Sequence, residues 1–253
     1  MVIRVVEELA EEPFVSFVLP AYNEGRFIER ALERLDSSVN GDGLRYEVVV
    51  IDDGSVDDTR LKVLNYAAHR WNIRVFGYSK NAGKGFAVKA GFLKATGDAV
   101  VFLDSDLDID VDRVRKYVEA LRYGDIVVGS KWHRGSVVDV PFVRRFLSRG
   151  FNMLVRLLTG FDVGDTQTGI KVVRRKAFEE IFQRLSVKRF AFDVELLILA
   201  KICGLRIIEL PVRLKVEGGF NVTEASRMFI DLLGIAYRLR VRKWYQHALR
   251  FTP

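Results

Sequence analysis

Ala99-Val100-Val101-Phe102-Leu103-Asp104-Ser105-Asp106-Leu107-Asp108 is the stretch on which the fold turns. Its first half is a short apolar run of the kind a strand shows when both of its faces are buried. Its second half sets carboxylates at alternate positions, and Asp110 and Asp112 continue the series. In extended backbone, residues i and i+2 project to the same side, so at least two of these carboxylates converge. Like charges held that close repel unless a cation neutralises them, and hard oxygen donors suit Mg²⁺ or Mn²⁺. Asp104, Asp106 and Asp108 are therefore the candidate metal ligands. An EF-hand loop is excluded, because Ile109 stands where that loop needs its glycine. The plain alternative is an acidic turn favouring a helix that starts at Asp112.

Outward from this stretch the first half of the chain alternates. Strands are expected at Phe14–Leu19, Tyr46–Ile51, Ile73–Tyr78, Ala99–Leu103 and Asp125–Val128. Helices are expected over 26–35, 57–70, 85–95 and 112–122, where apolar residues such as Phe27, Ile28, Ala31, Leu32 and Leu35 recur at helical spacing. Alternation of this kind predicts βαβ units and a mostly parallel sheet. Such a sheet binds ligands at the carboxyl ends of its strands. Four polar clusters stand just there: Pro20–Glu24, Asp52–Ser55, Asn81–Gly85 and the acidic run from Asp104. Lys84 can reach a phosphate from the third, where glycines permit close backbone approach. No Ser or Thr follows a Gly-Lys pair and no dinucleotide fingerprint follows the first strand, which counts against a P-loop ATPase and a dehydrogenase.

The second half reads as a basic amphipathic helix (141–158), a Gly/Asp/Thr-rich turn (160–169), a strand (170–173), a helix (175–185), a helix (193–203), a strand (206–214), a loop (216–221) and a closing helix (224–244). Charge divides between the halves. Residues 1–129 carry 17 Lys/Arg against 22 Asp/Glu, and residues 130–253 carry 23 against 11, for a net +7. An acidic first half suits a cation and a basic second half suits phosphate or an anionic surface. The single cysteine, Cys203, lies in an apolar run; it reads as a core residue in a reducing compartment. Met1–Pro13 is too acidic for a signal peptide and no run reaches the length of a spanning helix, so a soluble or peripheral protein on the cytoplasmic side is expected. His69, His133 and His247 are too scattered for a metal site. No zinc-ligand spacing, RNP-like motif or aromatic platform supports nucleic acid as a partner.

Taken together, the motifs resemble the family 2 glycosyltransferases of GT-A fold, and within them the dolichyl-phosphate mannose synthases and dolichyl-phosphate β-glucosyltransferases. The resemblance runs from about Val15 to Asn221. It is carried by Leu19–Glu24, Asp52–Ser55 with Asp57, Asn81–Gly85, Asp104–Asp106, Val128–Lys131, Ser148–Phe151, Asp165–Gly169 and Phe192–Leu196. It implies a doubly wound, mostly parallel but mixed sheet with helices on both faces. The nucleotide-sugar and metal side would span 14–130 and the acceptor side 131–221 of a domain 1–221, followed by a basic amphipathic helical extension, 222–253. It implies further that Pro20, Tyr22, Glu24, Ile51, Asp53, Lys84, Ser105 and Arg213 serve the nucleotide sugar, and that Asp104 and Asp106 bridge metal and diphosphate, with Asp108 where the family often has Gln. Arg144, Ser148 and Lys131, the last where the family usually has Arg, would hold an acceptor phosphate. Gly218-Gly219-Phe220-Asn221 stands where relatives tend to carry a Ser-Lys pair.

The implied reaction is an inverting transfer of a hexose from UDP-glucose or GDP-mannose to a polyprenyl or dolichyl phosphate at a membrane surface. The stretches 165–169 and 192–196 look more like the glucosyl branch. A phosphate acceptor needs no obligatory base; Asp193 is the fallback base for a sugar hydroxyl. Basic helices with bulky apolar faces at 141–158 and 228–250, the latter with Trp244 and Tyr245, suit a membrane interface. A family 2 enzyme acting on a glycan or soluble acceptor, and a non-catalytic nucleotide- or lipid-binding module, are the other readings.

Overall fold

The structure is a computed structural model that describes residues 14–41, 43–105, 111–162, 164–165, 168–215 and 222–245. Strand β1 (Val15–Ala21) is flanked by parallel β2 (Tyr46–Asp52) and parallel β4 (Ala99–Phe102). With β3 (Ile73–Gly77), β5 (Ile126–Ser130), β7 (Lys171–Arg174) and β8 (Ile207–Pro211) they form a seven-stranded sheet of order β3-β2-β1-β4-β7-β5-β8. Strand β7 alone runs antiparallel to its neighbours β4 and β5. The sheet is thus mixed but mostly parallel, as expected.

Alternate side chains of each strand feed opposite faces. Val15, Phe17 and Leu19 of β1 join Val48 and Val50 of β2 in one core, closed by α1 (Ile28–Gly41), α2 (Thr59–Ala67) and α4 (Val114–Ala120). Val18, Val49, Ile51, Val100 and Phe102 form the other. That core is closed by α3 (Lys84–Lys94), α6 (Arg175–Arg184) and α7 (Phe192–Ile202), with Phe92 and Phe182 stacked at 3.8 Å between centroids. Cys203 is half-buried and packs against this second core. Helix α8 (Val222–Ala236) reaches it through Leu232 and Ile235, and Leu239 and Tyr245 extend the contact beyond the helix. The described part of the segment expected as an extension, residues 222–245, thus packs on this core through those four side chains.

Two elements depart from the sequence reading. The expected strand 206–214 is two strands. Strand β8 ladders with β5 as far as Pro211, which has no N–H to continue. The Val212 N–H turns to Ser136 Oγ (3.0 Å), and β9 (Arg213–Lys215) pairs with β6 (Val137–Asp139) in a separate two-stranded sheet. The closing helix is α-helical only to Ala236 and continues as a π turn over Tyr237–Val241. Helix α5 (Phe142–Thr159) forms as expected and packs against α8.

Candidate active site

The loops after β1 and β2 are bonded into one slab. Asn23 takes a positive φ of 56°, uncommon without glycine; its N–H donates to Ser55 Oγ (3.0 Å) and its Oδ1 accepts from the Val56 N–H (2.9 Å). Gly25 donates its N–H to Asp57 Oδ2 (3.1 Å), and Lys62 Nζ donates to the Gly25 carbonyl (2.6 Å). Burial pushes the Asp57 carboxyl up, but the bonds from Thr59 and Gly25 outweigh it and hold it below its ordinary value. Pro20 lies in register with Ile51, Tyr22 is 44% exposed, and the Glu24 carbonyl accepts the Ile28 N–H where α1 starts.

Asp53 is buried, and both its oxygens are engaged by the glycine-rich loop. Oδ1 accepts the Ala82 N–H (2.8 Å); Oδ2 accepts the Gly83 N–H (3.0 Å) and Asn81 Nδ2 (2.9 Å). Its carboxylate, expected on the nucleoside wall, pins the loop from which α3 and Lys84 emerge. Glycine is required where these loops touch. A Cβ on Gly54 (φ 71°) would lie 2.5 Å from the Lys80 carbonyl carbon, and one on Gly83 (φ 101°) 2.5 Å from the Lys188 carbonyl oxygen. The side chain of Ile51 is sealed in the core on the α3 side, where strand alternation sends it.

Asp104 follows β4 with a third of its side chain exposed, and Lys84 Nζ is ion-paired to its Oδ1. Ser105 beside it is buried. Asp106 and Asp108 lie outside the described residues, as does the 218–221 loop. Among the described residues no group of three His, Cys, Asp or Glu side chains is placed to hold a metal. Behind Asp104, Asp193 is paired with Lys171 Nζ at 2.8 Å, with both side chains buried. Burial pushes the Asp193 carboxyl up against the pull of Lys171 and Lys84.

At the end of β5, Lys131 meets α5. Its Nζ lies 3.4 Å from Ser148 Oγ and 3.5 Å from Asp165 Oδ1, while its backbone N–H donates to Asp165 Oδ2 (2.7 Å). Thr168 Oγ1 also donates to Asp165 Oδ2 (2.6 Å). Arg144 is on α5 one turn before Ser148, its side chain outside the described set. Arg213 stands exposed on β9. A cavity of about 670 Å³ at the amino ends of the strands, between Asp36, Tyr46, His69 and Trp71, is lined by none of these residues.

A family profile described as "Glycosyl transferase family 2" matches residues 16–182. This chain belongs to glycosyltransferase family 2. It is 35% identical to Glycosyltransferase AglD of Haloferax volcanii over 93% of the chain, and spans 38% of that relative's length. It is 32% identical to Dolichyl-phosphate beta-glucosyltransferase ALG5C of Trichomonas vaginalis (96% of this chain, 76% of that one). To the human dolichyl-phosphate beta-glucosyltransferase it is 33% identical (91% and 77%). Glucosyl-3-phosphoglycerate synthase from Mycobacterium tuberculosis, solved with UDP, shares the fold at TM-score 0.68 and 23% identity over 89% of this chain and 79% of that one.

This glycosyltransferase also relies on residues that no motif singled out for a structural duty. Glu195, fully buried, accepts from the Ser186 N–H (2.9 Å), Ser186 Oγ (2.6 Å), the Val187 N–H (2.7 Å) and Tyr245 Oη (2.5 Å). Arg238 Nε donates to the same tyrosine oxygen (2.9 Å), and Arg189 Nη2 donates to Asp231 of α8 (2.7 Å). Tyr245, expected at a membrane headgroup level beside Trp244, is instead a buried strut; Trp244 keeps 39% exposure. The segment 186–190 is thus fixed from both sides, by the Gly83 loop through the Phe86 N–H to Lys188 carbonyl bond (3.0 Å) and by the C-terminal helix.

Proposed function

We propose that this glycosyltransferase moves a glucosyl residue, with inversion, from UDP-glucose to a polyprenyl phosphate of the dolichyl type at a membrane surface. The observation that carries the reading is the meeting of Lys131 and Ser148 where the end of β5 touches a helix with a bare apolar outer face. A lipid phosphate needs both things at once, donors for its phosphate and an apolar flank for its chain. Helix α5 exposes Phe142 (81%), Phe146 (67%), Met153 (72%) and Leu157 (68%), with Arg145 and Arg149 exposed among them. Ile230, Tyr237 and Val241 are exposed along α8 and the turn that follows it. Apolar bulk interleaved with arginine suits the interface plane. Among the described residues no helix is long and apolar enough to cross a membrane. Relatives named dolichyl-phosphate beta-glucosyltransferases support both acceptor and sugar.

In this reading the slab and Tyr22 receive the nucleoside, and Lys84 meets the diphosphate. Asp104, with Asp106, would hold Mg²⁺ or Mn²⁺; the carboxylate is a hard donor that already takes a cationic partner, which fits such an ion. When bound, the ion supplies Lewis-acid compensation for charge building on the leaving diphosphate. The acceptor oxygen belongs to a phosphate monoester, anionic near neutral pH, so alignment matters more than deprotonation. Lys131, Ser148 and Arg144 provide that alignment. Asp193 is buried as the partner of Lys171.

The test offers UDP-[¹⁴C]glucose and GDP-[¹⁴C]mannose to the protein with dolichyl phosphate in vesicles. Label from UDP-glucose should extract into chloroform–methanol, and Lys131→Ala should raise the KM for the lipid far more than that for the donor. Label that stays with water-soluble acceptors, or extracts only from GDP-mannose, overturns the proposal.

A further inference from the structure

We infer that Lys84 is a built-in counter-ion for Asp104, which holds the carboxylate while no metal is bound and must swing away before a divalent ion can enter. Metal and nucleoside diphosphate then bind together. The inference rests on the reading of Asp104 as a metal ligand, and goes beyond it by giving that ligand an internal competitor.

Geometry carries the case. Lys84 is the first residue of α3, directly after Gly83, whose N–H is tied to Asp53. Its Cα is therefore fixed, and only the flexible stem can move. The ammonium sits on Asp104 Oδ1, and the Phe190 ring centroid lies 6.0 Å from it. The pair is at the edge of water, with side chains 22% and 33% exposed, so it can separate. The neighbouring pair, Lys171 with Asp193, is 3% and 9% exposed and has no such freedom. Asp193 has its own cation, Lys171, at 2.8 Å, and Lys84 is the weaker of the two attractions on it.

A divalent ion and an ammonium on one carboxylate oxygen repel strongly at contact distance. Entry of the ion alone therefore displaces Lys84 from Asp104, and the other carboxylate close by, Asp193, is already shared with Lys171 rather than a fresh anion to receive it. A diphosphate provides that anion, so donor and metal each make the other's binding easier, by the same factor in both directions.

The test measures Mn²⁺ binding by the loss of the free-ion EPR signal, with and without UDP, on folded protein checked by circular dichroism. Lys84→Met should bind Mn²⁺ alone about tenfold more tightly than the unaltered chain, within the usual range of coupling between sites. UDP should then tighten Mn²⁺ binding less than it does in the unaltered chain. Lys84→Arg, which keeps the charge, should stay weak for Mn²⁺ alone, and Asp104→Asn in the Lys84→Met background should abolish the gain. Equal or weaker Mn²⁺ binding by Lys84→Met overturns the counter-ion role while leaving the metal site intact. Failure of the unaltered chain to bind Mn²⁺ even with UDP overturns both.

Discussion

The strand-end loops of the first half stabilise their buried carboxylates without ion pairs among the described residues, whereas the segment that faces them, residues 131–195, adds distant cations to the amide bonds. Asp52 and Asp53 accept from the N–H groups of nearby loops, Ser55 for the first and Ala82 and Gly83 for the second. Neither takes an ion pair among the described residues. Asp165 and Asp193 are each paired with a lysine from another element, Lys131 and Lys171. Glu195 adds Tyr245 and Arg238, far along the chain, to the Ser186 and Val187 N–H groups near it in sequence. A carboxylate satisfied by amides depends on loop shape. One satisfied by a buried cation depends on the whole tertiary fold, and is left uncompensated if the partner is lost.

The largest effect should follow from breaking the second kind. Lys171→Met leaves Asp193 buried without its cation, and should lower stability in urea unfolding by about 3–5 kcal/mol, as loss of one member of a buried pair does. Replacing both residues, Lys171→Met with Asp193→Leu, should recover most of that loss, because no orphan charge remains. A single-variant loss under about 1 kcal/mol would mean that Asp193 is satisfied by other groups, and the contrast between the halves would fail.

Tyr245→Phe tests the same idea at the far end of the chain. It removes the hydroxyl that donates to Glu195 and accepts from Arg238. A hydrogen bond to a charged group contributes about 1.5–3 kcal/mol, and the loss should fall in that range. Were Tyr245 only an interfacial aromatic, the variant would unfold like the unaltered chain.

This contrast also explains what was legible in the sequence. The five parallel strands of the first half, their order of appearance and the four polar clusters at their ends announce themselves locally, through apolar runs followed by Asp, Asn and Gly. The family resemblance rests on the same stretches. The division of labour inside a cluster is not local. Nothing in Asp52-Asp53 says that the second carboxylate turns inward to bind a loop 28 or more positions later. The strand at 206–214 looks continuous because Pro211 ends a ladder only if its neighbour β5 is known. Trp244-Tyr245 among arginines fits a membrane interface and a buried strut equally well until Glu195 is in place. Asp165 and Glu195 could be quoted as parts of motifs, but their duties belong to partners that only folding supplies.

Asp53→Asn sharpens the amide side of the comparison and should have the smallest effect on stability. Asparagine keeps one acceptor oxygen where the carboxylate used two, and its NH₂ group must face either the Ala82 or the Gly83 N–H. Two donors then oppose each other in a buried place, for a loss of about 1–3 kcal/mol. The local consequence should exceed the global one. The loop 81–83 carries Lys84 on its far end, so releasing one anchor loosens the start of α3 and with it the cation meant for the diphosphate. UDP binding, followed by calorimetry, should weaken about tenfold, in line with losing roughly 1.4 kcal/mol of preorganised contact. Asp53 instead read as a direct nucleoside contact makes a different forecast: UDP binding falls while urea stability stays unchanged. Stability and binding falling together identify the residue as the pin of the loop.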